Sequence, residues 1–267
     1  RALLAGPDAL PRWHGNARAH LLLSQVFWIV AWQHQVEPAD YPRTAERMAQ
    51  ILTHGLMCKG ARWPEPQPRD VARHAIPPSS SEQFLRAATE LINEEGYHGA
   101  SVERISAKLN VSKGAFYHHN ETKDELVVAC FERTFETMWQ AIQAAEQAGG
   151  SGLEVLVGTV SALIEHQVSG EAPLLRTSAL TAVPEGLRAG LMQRFNRLSY
   201  RFASILCDGI ADGSCAPVDV NVASQMITSA INAAAELHYW TPGMAPETVV
   251  QHYVRPIFEG LASPVAR

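Results

Sequence analysis

Residues 101–126, SVERISAKLNVSKGAFYHHNETKDEL, restrict the fold more than any other stretch of the chain. Two short helices are predicted, joined by a sharp turn. Ser101 is placed to cap the first, whose apolar positions Val102, Ile105 and Leu109 share one face. Asn110 tolerates the left-handed backbone such a turn needs, and Val111 fits the angle between the helices. Ser112 caps the second helix, Lys113 to about His119. Phe116 is expected in the core, with Lys113, Gly114, Tyr117 and His118 on the opposite side. The small pair Gly114-Ala115 allows close approach to a groove, and Lys, Tyr and His offer donors to phosphates and base edges. This is the grammar of a helix-turn-helix that enters the major groove of DNA.

The same residues resemble the TetR/AcrR family of one-component bacterial regulators. The resemblance is carried by Val111 to His119 and by Lys123-Asp124-Glu125-Leu126. Upstream, Phe84 to Gly96, Tyr97 and Gly99-Ala100-Ser101-Val102 match the family's first helix and its lead into the second. The match covers roughly 82–126. Where the family carries an aromatic after Tyr-His-His, this chain has Asn120. The resemblance implies an all-α protein, with a DNA-binding unit followed by a helical ligand-binding and dimerisation domain. It assigns DNA contact to Ser101, Ser112, Lys113, Gly114, Ala115, Tyr117, His118 and Lys123.

The 267 residues suffice for more than one unit, and 46% hydrophobic content can fill a large core. The net charge of −5 does not favour DNA, and 82–126 is itself acidic. Lys113 and Lys123 nevertheless flank the second helix, while Glu90, Glu94 and Glu95 fall on the helix before it, so affinity for DNA is expected to be modest and salt-sensitive. Four cysteines without a CxxC pair fit a reducing cytoplasm and give no zinc pattern. The apolar stretch Leu21–Trp32 is too short to span a bilayer, which takes about 20 residues. Adjacent His118 and His119 point about 100° apart on a helix and cannot easily share one ion, so no metal site is expected. No catalytic cluster is visible, and neither an enzyme nor a cofactor is expected.

Four segments are expected: a helical hairpin at 1–63, a linker at 64–81 with five prolines, the DNA-binding unit at 82–126, and the ligand and dimerisation domain at 127–267. Within the last, helices are predicted over Lys123–Gln147, Leu153–Val168, Leu174–Val183, Pro184–Ala211, Val218–Tyr239 and Pro246–Leu261. Asn232 and Glu236 stand on an otherwise apolar helix, where an unpaired buried carboxylate would be costly. With Trp139, His166 and Arg176 they form the candidate ligand-binding set.

The opening hairpin carries a second signal. Slid by 205 positions, Asn16–Leu56 lies on Asn221–Leu261 without a gap, with Asn16 on Asn221, Ser24 on Ser229 and Gly55-Leu56 on Gly260-Leu261. Only four of the 41 positions are identical, but apolar positions coincide. The expectation is that 1–63 is the tail of an upstream TetR-like repeat, and that a chain opening on Arg1 is a fragment. The resemblance implies subunits associated through their last two helices. The hairpin 16–57 should then pack on 219–261, with Leu22, Val26, Ile29, Met48 and Leu52 meeting Ile227, Ile231, Val250 and Ile257. The functional expectation is a cytoplasmic, ligand-responsive repressor that binds double-stranded operator DNA as a homodimer or intramolecular pseudo-dimer and releases it on binding a small molecule. A helical ligand-binding or interaction protein that has lost DNA binding is the alternative.

Overall fold

The computed structural model describes residues 12–65, 80–108, 110, 122–170 and 172–262. The fold is all-α. Among the described residues the one extended pairing is an isolated antiparallel bridge between Met57 and Cys215. The helices are α1 (Arg12–Trp32), α2 (Tyr41–His54), α3 (Ser80–Gly99), α4 (Val102–Lys108), α5 (Lys123–Gln147), α6 (Gly152–Ser169), α7 (Glu185–Ala211), α8 (Val220–Ala233), α9 (Leu237–Trp240) and α10 (Arg255–Glu259).

Local chemistry sets most of these boundaries. At α5, Thr122 accepts from the Glu125 amide while Glu125 reaches back to the Thr122 amide. Ser151 and Glu154 repeat this capping box at α6. Asp219 accepts from the amides of Asn221 and Val222 at the start of α8. Ser101 caps α4 through the Arg104 amide at 3.3 Å, and Asn110 takes the left-handed conformation at φ 54°.

Three predicted helices are broken into smaller pieces, among them Val218–Tyr239, where a 3-10 turn at Ala234–Glu236 separates α8 from α9. Residues 174–183 hold only a 3-10 turn, Thr177–Ala182. The last helix becomes a 3-10 turn at Pro246–Thr248, a π segment at Val250–Val254 and α10. Pro256 has no amide proton, and its ring crowds the carbonyl four residues back, so the turn before it widens.

α5, α6 and α7 pack side by side, and α8 lies along α7. Phe131 and Phe202 are fully buried among them, and Phe131, Phe135 and Phe195 meet edge to face or stacked. α3 rests on α5, with Phe84, Ala88 and Leu91 buried beside Leu126, Val127 and Cys130. α1 packs on α8, α9 and the π segment, and α2 packs on α8 and α10. The expected association of hairpins 16–57 and 219–261 is therefore present. Its details differ from expectation. α1 buries His14, Ala17, Arg18, His20, Leu21 and Gln25, whereas Val26 turns outward and is 58% exposed. α1 is apolar around much of its circumference, so periodicity alone does not choose the buried stripe.

Candidate DNA-binding unit and effector cavity

α3 and α4 form the described part of the DNA-binding unit. Ile105 is fully buried, as the apolar spacing requires. Leu109, Ser112, Lys113, Gly114, Ala115, Phe116, Tyr117 and His118 lie outside the described residues. Ser101 is at the start of α4 and Lys123 begins α5, so these two expected DNA contacts bracket the segment. The Lys123 ammonium lies 4.2 Å from the centre of the Tyr97 ring. The Tyr97 hydroxyl donates to Asp124, and burial together with that carboxylate pushes the phenol up to about 12. These contacts tie the end of α3 to the start of α5.

Several acidic side chains of this unit are paired. Lys108 pairs with Glu90 at 2.9 Å and lies 3.9 Å from Glu94, and Arg104 pairs with Glu95. Glu82 accepts from Arg86 at 2.9 Å and from Arg133 of α5 at 2.8 Å. Burial raises the Glu82 pKa, but the two guanidinium groups outweigh it and hold the carboxyl below its ordinary value.

Of two cavities of about equal size, the more apolar, here the main cavity, has a volume of about 600 Å³; the other, of about 610 Å³, is lined by polar groups including Arg43, Arg47 and Asp219. The bundle side contributes Leu180, Met192, Phe195, Thr228 and Asn232. α1 contributes the other wall through His20, Leu23, Phe27 and Trp28, which no periodicity in the sequence marks as cavity residues. Burial lowers the His20 pKa to about 4, so its ring is neutral near pH 7, and it lies 5.4 Å from the Trp240 ring.

Three of the five candidate ligand residues meet at this cavity. Arg176 pairs with Glu236 at 2.9 Å, and Asn232 accepts from the Thr177 amide at 3.3 Å. Trp139 lines a separate, polar recess with Glu132, Glu136, Arg194 and Arg197. His166 is buried near the end of α6 and does not line the main cavity.

The cavity rim is wired to the DNA-binding unit. Asn93 of α3 donates to the Leu174 carbonyl at 2.9 Å and accepts from the Arg176 amide at 3.0 Å. Arg133 of α5 donates to the carbonyls of Ala172 and Pro173, both at 3.1 Å. Segment 172–177 thus bonds to α3 and α5 on one side and to Asn232 and Glu236 on the other. No sequence pattern marked Asn93, because a lone Asn inside a helix has many uses. No described helix is long and apolar enough to cross a membrane.

Residues 84–130 match the model of the bacterial regulatory proteins of the tetR family. The transcriptional activator FasR of Mycolicibacterium smegmatis is 28% identical over 135 residues, 49% of this chain and 56% of that relative. The chain therefore spans little more than half of that relative's length. The transcriptional repressor KstR2 of the same organism is 23% identical over 198 residues, 69% of this chain and 92% of the relative. Among solved structures, AibR in complex with isovaleryl coenzyme A and operator DNA superposes with a TM-score of 0.57. It shares 19% identity, with 67% of this chain and 98% of AibR covered. Residues 84–130 are thus a DNA-binding unit of the tetR family of bacterial regulatory proteins, and the helical bundle that follows has the fold of the AibR structure.

Proposed function

We propose that this chain is a cytoplasmic transcription regulator, that it binds double-stranded operator DNA through 82–126, and that an effector in the main cavity lowers its operator affinity, making it a ligand-released repressor. The observation that carries the reading is the bonded path from cavity to DNA-binding unit: Glu236 to Arg176, Asn232 to Thr177, and the Arg176 amide to Asn93 on α3. A ligand that engages Arg176 competes with Glu236 and pulls on segment 172–177. That segment holds α3, so the two states differ in where the DNA-reading helix stands. Ser112, Lys113, Gly114, Ala115, Tyr117 and His118 are proposed to meet the DNA, with Ser101 and Lys123 at its edges.

The cavity is lined by apolar and aromatic side chains, with Arg176 and Arg188 as its cationic members and Glu236 as its acidic one. That lining suits an effector with an apolar body and an anionic end. AibR's complex with isovaleryl coenzyme A supports an acyl thioester as the class to try first.

The test is a gel shift with the DNA upstream of the gene, with and without isovaleryl- or palmitoyl-coenzyme A. The expected result is a shift that one of these thioesters abolishes. Asn93→Ala should still bind DNA yet lose the response. Lys113→Ala should bind more weakly and lower the salt slope by about 1. Absence of any shift favours the alternative of a helical binding protein without DNA recognition. A shift that neither thioester changes removes the effector class.

The domain reading is likewise a proposal: 1–63 as the tail of an upstream TetR-like repeat, 64–81 as linker, 82–126 as the DNA-binding unit and 127–267 as the ligand-binding and dimerisation domain. Support comes from the outward face of α1. Val26 is 58% exposed, while Ile231, its counterpart 205 residues on, is 1% exposed beneath the bundle. Phe27 and Val30 are likewise exposed. α1 is thus apolar and exposed at Val26, away from the bundle, whereas Phe27 and Val30 border the main cavity.

A further inference from the structure

The hairpin of α1 and α2 meets the hairpin of α8 to α10 along contacts that come in reciprocal pairs 205 residues apart. A small void of about 20 Å³ between them shows this most directly. Eight of its nine lining residues form four such pairs: Leu21 with Met226, Ile51 with Pro256, Leu52 with Ile257, and Leu56 with Leu261. Gly55 and Gly260 face one another, both at positive φ (76° and 87°). A Cβ on Gly55 would stand 2.1 Å from the Phe258 carbonyl oxygen, and one on Gly260 would stand 2.3 Å from that of Thr53. The Leu56 amide donates to Phe258 O at 2.9 Å, and its counterpart, the Leu261 amide, donates to Leu52 O at 2.7 Å, one residue before the exact counterpart Thr53. Ser229 Oγ donates to the Ser24 carbonyl at 3.1 Å, and that pair is its own counterpart under the offset. The ion pair Arg47–Asp219 maps onto His252–His14, whose rings are 5.1 Å apart.

Contacts in which i meets j and the counterpart of j meets the counterpart of i are the mark of a twofold interface, which identical subunits usually make between copies. An unrelated hairpin docked on the same surface has no reason to obey a single offset at the glycines, in the apolar void and at the charged pair together. We infer that this chain builds a pseudo-twofold dimer interface within itself, so the surface on which α8 and α10 would pair with a second copy is filled by the chain's own α1 and α2. The partner at this face is the chain itself. Identical DNA-binding units are then not brought together through it, and the symmetry that imposes a palindromic operator is absent there. The inference deepens the domain reading and does not depend on DNA binding.

The test uses the full 267-residue chain carrying Ser24→Cys and Ser229→Cys, with Cys58 and Cys207 replaced by Ser. Air oxidation followed by non-reducing electrophoresis and peptide mass spectrometry should show a 24–229 disulfide within a single chain. Two chains carrying one substitution each should not cross-link when mixed. Covalent dimers linked 24 to 229, or no disulfide in a folded double variant, overturn the inference. Should the cysteine variants fail to fold, Arg47→Asp and Asp219→Arg replace them. Arg47→Asp should lower the melting temperature slightly, Asp219→Arg by more because it also removes the α8 cap, and the double variant should melt above Asp219→Arg alone. Recovery by mixing the single variants, or none in the double variant, overturns it. A within-chain disulfide in a protein that gives no gel shift leaves this interface standing and removes only the DNA-binding reading.

Discussion

The two hairpins meet as counterparts but do not carry the same chemistry, and the difference falls into two kinds. Where backbones touch, the hairpins are alike, with Gly55 opposite Gly260 and Leu56 matched to Leu261. Where side chains touch at the periphery, they diverge. One side of the pseudo-axis holds the ion pair Arg47–Asp219, and the other holds His14 against His252, with the Trp13 ring 4.8 Å from His252. Close backbone approach tolerates one residue type, whereas a side-chain contact can be satisfied in several ways. A pseudo-symmetric interface within one chain is free to diverge at the second kind of position and not at the first.

The largest expected effect tests the backbone contact. Gly55→Ala and Gly260→Ala each add a methyl group where no space exists and force a non-glycine residue to positive φ. Each should cost about 4 kcal/mol, combining roughly 1–3 for the strained backbone and 1–3 for the clash. Thermal melting of both variants checks this. A melt like the parent's for one but not the other would break the equivalence of the hairpins.

Next come the paired apolar positions. Leu21 and Met226 are both buried across the small void. Truncating either to Ala should cost about 3 kcal/mol, and the double variant should lose less than the sum because the two cavities merge. Additive losses in chemical denaturation would show that the two residues do not share a site.

The histidine side should respond to acid. Burial, then Arg18 and then His252 lower the His14 pKa to about 4, and burial and Arg18 lower that of His252. In the unfolded chain both titrate near 6.5, so between about pH 6.5 and 4 the unfolded state binds more protons, and stability falls as pH falls through that window. Glu259 is the acidic group acting on Arg18 there. His14→Gln should flatten the fall in melting temperature across this range. A slope unchanged in that variant would place the acid sensitivity elsewhere, with His20 on the cavity wall the next group to replace.

The smallest effect belongs to the ion pair. Arg47 is 36% exposed at its side chain, so Arg47→Ala should cost about 0.5 kcal/mol, less in high salt. A salt-independent loss well above 1 kcal/mol would mean that Arg47 also holds the backbone of α2 in place.

Much of this architecture is legible in the residues. The starts of α5 and α6 are written in Thr122 with Glu125 and in Ser151 with Glu154. Ser101 and Asn110 mark the edges of α4, and the 205-residue offset rests on Gly55, Gly260 and a few apolar coincidences. These signals are local, or repeat at a fixed distance, so they survive without knowledge of partners. The ligand candidates were legible only in part. Arg176, Asn232 and Glu236 converge on the main cavity, while Trp139 opens on a different recess and His166 does not reach the cavity. An aromatic or histidine on an apolar helix carries no mark of which neighbour it will face.

The sequence by itself determined the helix-turn-helix grammar, the caps and stops of the long helices, and a pairing of two hairpins by offset. Only the tertiary structure decided that α1 turns His14, Arg18 and Gln25 inward and Val26 outward, because a helix apolar around much of its girth takes its buried stripe from whatever packs against it. Only the tertiary structure joined α1 to the bundle as one wall of the main cavity, and only there does Asn93 link that cavity's rim to α3. Such contacts bind residues far apart in the chain, and no periodicity or spacing records them.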